Sequence, residues 1–318
     1  MHSSSPVAAL LFVLLLSAAC VTTDSQDDNN FVPFVPDMDM SAGDGADQPD
    51  LPPGVDMGED LPVVDDMPGQ PDMPDMPPVD MGSGVCTPNL DGQITQAEVP
   101  TMTGAFATYR VATDATISTA GEDGGDGSRI WDLSGMLPGD RRLLVEAQDP
   151  AGRWFSPDFP DASYVARLSE SSDLLGIFKI APGELQLLGI ASPQSGTSST
   201  KVKYSVPVVT LKYPLKRGDT WSSDATGTGT VSGIPFATYT EEYVSQVDAA
   251  GRIKTPYGEF PVLRVRVELK RVAGFTTTRL RTYIFVTECF GSVATITSED
   301  NEADVEFTTA KEVRRLTP

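Results

Sequence analysis

Histidine is nearly absent: the 318 residues hold one, His2. It lies in an N-terminal segment that reads as an export signal, so the mature chain has none. That excludes Ser-His-Asp and Cys-His nucleophile activation, and His-ligated zinc or haem. Basic residues are missing from the first third, where no Lys or Arg precedes Arg110. Residues 21–85 carry 16 acidic side chains, which leaves 29 acidic against 23 basic in the rest of the chain. A phosphate backbone needs a basic footprint, so nucleic acid is excluded as a partner. Long apolar runs are missing too. Residues 7–16 are continuously apolar but fall well short of the roughly 20 residues of a membrane-spanning helix.

Such a run fits the hydrophobic centre of a signal peptide. It is followed by Ser17-Ala18-Ala19-Cys20. Small residues before a cysteine resemble the lipobox of bacterial lipoproteins. The resemblance implies a signal peptide over residues 1–19 and diacylation of Cys20. It implies anchoring to the membrane, with each buried methylene contributing about 0.8 kcal/mol. Val21 after the cysteine implies the outer membrane. Asp24, Asp27 and Asp28 accompany display on the cell surface.

Residues 20–84 cycle through Asp, Met, Pro, Gly and Val with no hydrophobic period. Proline breaks helices and removes ladder donors, and the like charges repel. The segment reads as a disordered, lipid-anchored stalk. Met38, Met40, Met73 and Met76 have the spacing of a soft-metal copper(I) site. Biased linker composition accounts for them equally well and is the preferred reading.

Residues 85–100 form a degenerate EF-hand-like loop. With Gly92 at the obligatory glycine, Asn89 and Asp91 take the third and fifth places, Gln93 the seventh, Thr95 the ninth and Glu98 the bidentate twelfth. The expectation is a weak Ca2+ site, against an Asx turn bent at Asp91-Gly92. No other cofactor is expected. Cys86 and Cys289 remain after Cys20 is assigned, and an exported chain meets an oxidising compartment. A Cys86–Cys289 disulfide is expected.

Residues 101–318 read as one β-rich domain with period-two alternation and turn signals every eight to twelve residues. Leu263, Val265, Val267 and Leu269 alternate with charged residues, as do Leu280, Thr282, Ile284 and Val286 with Arg279, Arg281, Tyr283 and Phe285. Ala273-Gly274 between them predicts a hairpin. Further strands are predicted over 105–111, 143–147, 174–180, 185–190, 201–211, 236–247, 293–297 and 305–309. The fold class is mainly β: an antiparallel barrel, half-barrel or sandwich. Four local patterns stand in order: Ile130-Trp131-Asp132-Leu133-Ser134; Gly218-Asp219-Thr220-Trp221 after Tyr213-Pro214-Leu215; Thr255-Pro256-Tyr257-Gly258-Glu259-Phe260 with Leu263-Arg264-Val265; and Gly291-Ser292-Val293. Together they resemble uncharacterised secreted β-domains of Gram-negative bacteria. The resemblance implies export and an antiparallel sheet, and no activity.

Arg264, Arg266, Lys270, Arg279 and Arg281 could line one sheet face as an exposed basic stripe for an anionic glycan or lipid headgroup. The plainer reading is a solvated face with Glu268 paired to Arg279. Residues 122–127 are an acidic loop that reads as a hairpin tip. No catalytic motif is present, so the expectation is a non-enzymatic cell-envelope module for a protein or glycan partner. One alternative is a carrier holding a lipid or other apolar ligand in a half-barrel. Another is a hydrolase with paired carboxylates. A continuous apolar cavity favours the carrier, a filled core the module, and a cleft with two carboxylates the hydrolase.

Overall fold

A computed structural model describes residues 86–170 and 172–318. The readings for the signal segment, Cys20, the stalk and its methionines lie outside the described residues.

The chain forms, in order, β1 (Gln93–Ile94), β2 (Phe106–Thr116), β3 (Glu122–Asp123), β4 (Arg129–Asp132), β5 (Arg141–Glu146), β6 (Tyr164–Arg167), β7 (Leu175–Ala181), β8 (Glu184–Ala191), β9 (Lys201–Lys212), β10 (Leu215–Lys216), β11 (Thr220–Val231), β12 (Ile234–Lys254), β13 (Glu259–Ala273), β14 (Thr276–Thr287), β15 (Gly291–Ser298) and β16 (Thr309–Leu316). The main sheet runs β5-β2-β16-β15-β14-β13-β12-β11-β9-β8-β7-β6. Along this path neighbours are antiparallel; β4 adds to β12 in parallel. The two end strands meet through one antiparallel bridge, Gln148 to Val165, whose N–H groups donate across at 2.8 and 2.9 Å. The sheet is therefore a nearly closed barrel, which removes the unpaired edges that an open sheet would expose.

Alternation explains the central hairpin. Val265, Val267 and Leu269 turn to one face of β13 and are buried there. Leu269 lies opposite Leu280, and Val267 opposite Thr282. The turn at Ala273-Gly274 forms as the sequence predicts, with Gly274 in the left-handed region. Gly218 also has positive φ, and it leads into β11, whose Trp221 is buried and donates from Nε1 to the Val209 carbonyl at 2.9 Å. Pro256 and Gly258 shape the turn before Phe260, closed by Thr255 N–H to the Gly258 carbonyl at 2.8 Å.

The two sheet faces bury different cores. The inner face collects Leu187, Ile190, Val202, Tyr243, Val247, Val265 and their neighbours. The outer face of β12–β16 is covered by the excursion through β3 and β4 and by the segment before β16. There Trp131 meets Phe285 edge-on at 5.0 Å, and Tyr283 stacks on Phe307 at 5.8 Å. A third cluster packs Phe155 and Phe159 against Val165 and Ile177.

Two sequence expectations are corrected here. The strand predicted over 305–309 is a connection, and the strand is β16, which starts at Thr309. Its sequence TAKEVRRL looks solvated, but Glu312 and Arg315 are buried because ion pairs neutralise them. Strand β11, TWSSDATGTGTV, follows the Gly218-Asp219 turn with Trp221 inward, but its extent to Val231 is not legible in the sequence. Its polar composition hides the alternation, and Gly227 and Gly229 stand at a bulge where a Cβ would strike the Tyr239 ring and the Lys201 carbonyl.

Candidate functional site

One side of the barrel lumen is filled by the inner core; the other holds a cavity of about 310 Å3 that opens to the surface. Ala107, Val145, Ala166, Phe178, Leu185 and Ile284, from six different strands, face it. It exists because small residues, Ala107, Ala147 and Ala166, stand where larger ones would fill the space. Residues 99–101 and Phe290 line one end. Towards the other end stand Arg167, Leu168, Thr282, Thr295 and Arg314. Val111 pairs with Arg314, and Ala105 lies six residues earlier on the same side, about 20 Å along an extended strand.

The charged residues that line the cavity are Arg167 and Arg314; no Asp or Glu does. Arg314 donates from Nε to Glu312 at 2.6 Å and from Nη2 to the Leu168 carbonyl. Arg167 reaches the same turn, donating to the Ser172 carbonyl at 2.9 Å and the Glu170 carbonyl at 2.5 Å. The Tyr109 hydroxyl donates to the Ser292 carbonyl at 2.7 Å. Burial raises the Tyr109 pKa, and the Arg314 charge opposes that rise.

The entry loop crosses towards the barrel. Gln93 and Ile94 pair with Lys216 and Leu215, and Ile94 and Val99 join the inner core. The Gln96 side chain donates to the Ala181 carbonyl and accepts from Gly183 N–H. The Cys86–Cys289 disulfide is present, with Cα atoms 5.5 Å apart, and Cys289 N–H donates to the Glu98 carbonyl at 2.6 Å. Glu288 accepts from Asn89 N–H at 2.6 Å.

The residues assigned to calcium are brought together as two Asx turns and a capping box. Asp91 N–H donates to Asn89 Oδ1 and Gln93 N–H to Asp91 Oδ1, both at 2.8 Å. Glu98 accepts from Asn89 Nδ2 at 2.7 Å, and from the N–H and hydroxyl of Thr95 at 2.7 and 2.9 Å. These bonds use the oxygens that an ion would need. Among the described residues no cluster of three or more His, Cys, Asp or Glu side chains is placed to hold a metal.

The exposed basic stripe does not form. Arg264 is buried and donates to Asp248 at 2.9 and 3.0 Å, to Glu306 at 2.7 and 3.2 Å and to the Thr119 carbonyl at 2.6 Å. Its guanidinium lies 4.2 Å from the Tyr283 ring centroid. Burial by itself would lower the Arg264 pKa; its hydrogen bonds to the Asp248 and Glu306 carboxylates, with their charge, outweigh it and raise the value. Lys270 pairs with Glu242 at 3.0 Å. Glu268 pairs with Arg281 at 2.6 Å rather than with Arg279, because the register sets Glu268 opposite Arg281. Arg279 is exposed, and its backbone N–H donates to the Asn301 side chain at 3.0 Å. The 122–127 loop is the hairpin tip expected, with Gly125 N–H donating to Asp123 Oδ1 at 3.0 Å.

The sequence offers a half-barrel with an apolar ligand only as an alternative and names no lining residue. The cavity's available signal is the run of alanines on the inward positions of otherwise bulky strands, readable only once inward and outward are known.

No family model matches the chain, and no curated protein does. Solved structures of similar shape include one described as an exported protein with a YmcC-like fold from Bacteroides fragilis NCTC 9343. It is 13% identical with a TM-score of 0.34, covering 69% of this chain and 96% of that one. Another is described as a lipoprotein from Parabacteroides distasonis ATCC 8503, 9% identical with a TM-score of 0.32, covering 69% and 95%. At that level of similarity neither ligand nor activity passes to this chain.

Proposed function

We propose that this protein is a lipid-anchored, non-enzymatic component of the outer membrane that carries a small apolar ligand in its barrel lumen. The observation that carries the reading is the cavity of about 310 Å3, walled by alanine, leucine, isoleucine and phenylalanine side chains and free of lining carboxylates. Ligand pockets begin at roughly 300 Å3 and are mostly apolar with a few fixed polar groups, which is this arrangement. A filled lumen favours the surface-binding module, and carboxylates lining this lumen favour the hydrolase; neither describes its walls. The anchor rests on Cys20 and the small residues before it.

The test uses the full chain with Cys20→Ser, so that no anchor lipid competes, titrated with the neutral fluorescent probe N-phenyl-1-naphthylamine. One saturable site is expected, lost in Ala166→Leu, which fills the lumen while thermal unfolding confirms the fold. Absence of saturable uptake, or uptake unchanged in Ala166→Leu, overturns the carrier reading. The native chain should also release a lipid-modified N-terminal peptide; an unmodified Cys20 overturns the anchor.

A further inference from the structure

The cavity is asymmetric, and that asymmetry names a ligand class. We infer that the lumen takes a single-chain amphiphile with an anionic head, the head bound by Arg314 and the tail directed towards Phe290. This rests on the carrier reading and adds to it the chemistry of the head.

Arg314 has five N–H donors in a planar fork. Nε and Nη2 are held by Glu312 and the Leu168 carbonyl, which fixes the guanidinium at the cavity wall. A guanidinium lining a mostly apolar space is a fitting partner for an anionic acceptor brought in by a ligand. Glu312 offsets one of the two cavity-lining charges, and Arg167, held by carbonyls alone, leaves the second without a carboxylate. The cavity lining at this end thus carries two guanidinium groups and no carboxylate. Thr282 and Thr295 add hydroxyls beside it. A carboxylate matches the guanidinium fork in shape as well as charge. Towards the other end the walls are Phe178, Leu185, Ile284 and Phe290, which offer contact to a hydrocarbon tail and no charge. The volume, near the lower limit for ligand pockets, admits one chain and excludes a two-chain lipid.

The experiment displaces the same naphthylamine probe from the Cys20→Ser chain with three molecules of equal tail: laurate, dodecanol and dodecyltrimethylammonium. Laurate is expected to bind about tenfold to a hundredfold more tightly than dodecanol, the gain of a hydrogen bond to a charged group. The cation is expected to be the weakest. Arg314→Gln should bring laurate to the dodecanol level and leave dodecanol unchanged; Arg314→Lys should keep part of the preference. The wild-type comparison stands if Arg314→Gln fails to fold. Equal affinity for laurate and dodecanol, a preference for the cation, or displacement by none of the three overturns the inference. In each case probe binding itself, and so the carrier reading, survives. Absence of probe binding sinks the carrier reading first.

Discussion

Arg264 is the place where one substitution reports most directly on the outer core. Its five donors are all used, and it joins β12 (Asp248), the connection before β16 (Glu306) and the segment after β2 (Thr119). The Arg264→Leu change leaves Asp248 buried, at 10% side-chain exposure, beside an apolar surface. Removing one partner of a buried pair costs about 3–5 kcal/mol. Two features favour the lower end. Glu306 is 35% exposed, so solvent screens most of its share. Arg266 stands 4.0 Å from Asp248 and offsets part of the stranded charge. Loss of about 3 kcal/mol is therefore expected, with a melting temperature lower by about 6–12 °C at this size. Urea unfolding followed by tryptophan fluorescence would read it. Arg264→Lys keeps the charge without the fork and should lose less. Adding Asp248→Leu to Arg264→Leu should recover stability, because the stranded carboxylate goes. A loss below about 1 kcal/mol, the value of an exposed pair, or no recovery in the double variant, would refute the claim that a desolvated carboxylate dominates.

Burial raises the phenol pKa of Tyr109, Tyr164, Tyr204, Tyr213, Tyr239, Tyr243 and Tyr283. A raised folded pKa gives stability that is complete below the unfolded value near pH 10 and is lost as pH climbs towards the folded one. Alkaline unfolding should therefore begin above about pH 10, with tyrosinate absorbance rising together with loss of the β signal; gradual ionisation of a folded chain would contradict this. The disulfide closes a separation of 203 residues, for which chain entropy predicts about 5 kcal/mol. Cys289→Ser should lose much of that in urea unfolding, and complete alkylation of both thiols without reductant would rule the bond out. If the entry loop binds calcium, its two charged ligands place affinity at roughly 0.1–1 mM. About 10 mM calcium should then raise the melting temperature of the full chain but not of Glu98→Gln. An identical shift in both would assign the effect to the acidic stalk.

Local chemistry made several features legible in the sequence. The signal-like apolar run, the lack of basic residues before Arg110 and the absence of histidine after His2 need no fold to be read. Alternation at 263–270 and 279–286, with glycine between, specifies a hairpin because strand period and turn conformation are properties of neighbouring residues. The Gly218 and Gly258 turns and the inward Trp221 and Phe260 follow for the same reason. The two remaining cysteines were pairable by elimination, and their contact agrees.

Tertiary structure decided the rest. Strand β16 escaped notice because Arg315 and Glu312 look like surface residues. What buries Arg315 is Asp140, 175 positions away, and an ion pair across that separation leaves no local trace. The same holds for the basic stripe: Arg264 is exposed by alternation and buried by Asp248, Glu306 and Trp131, which come from three separate segments. The lumen cavity is the furthest from sequence. Ala107, Ala147 and Ala166 are ordinary alanines until closure through Gln148 and Val165 turns them towards one shared space. A void is a property of the packing between strands, so it appears only when non-local pairing has fixed which side chains face each other.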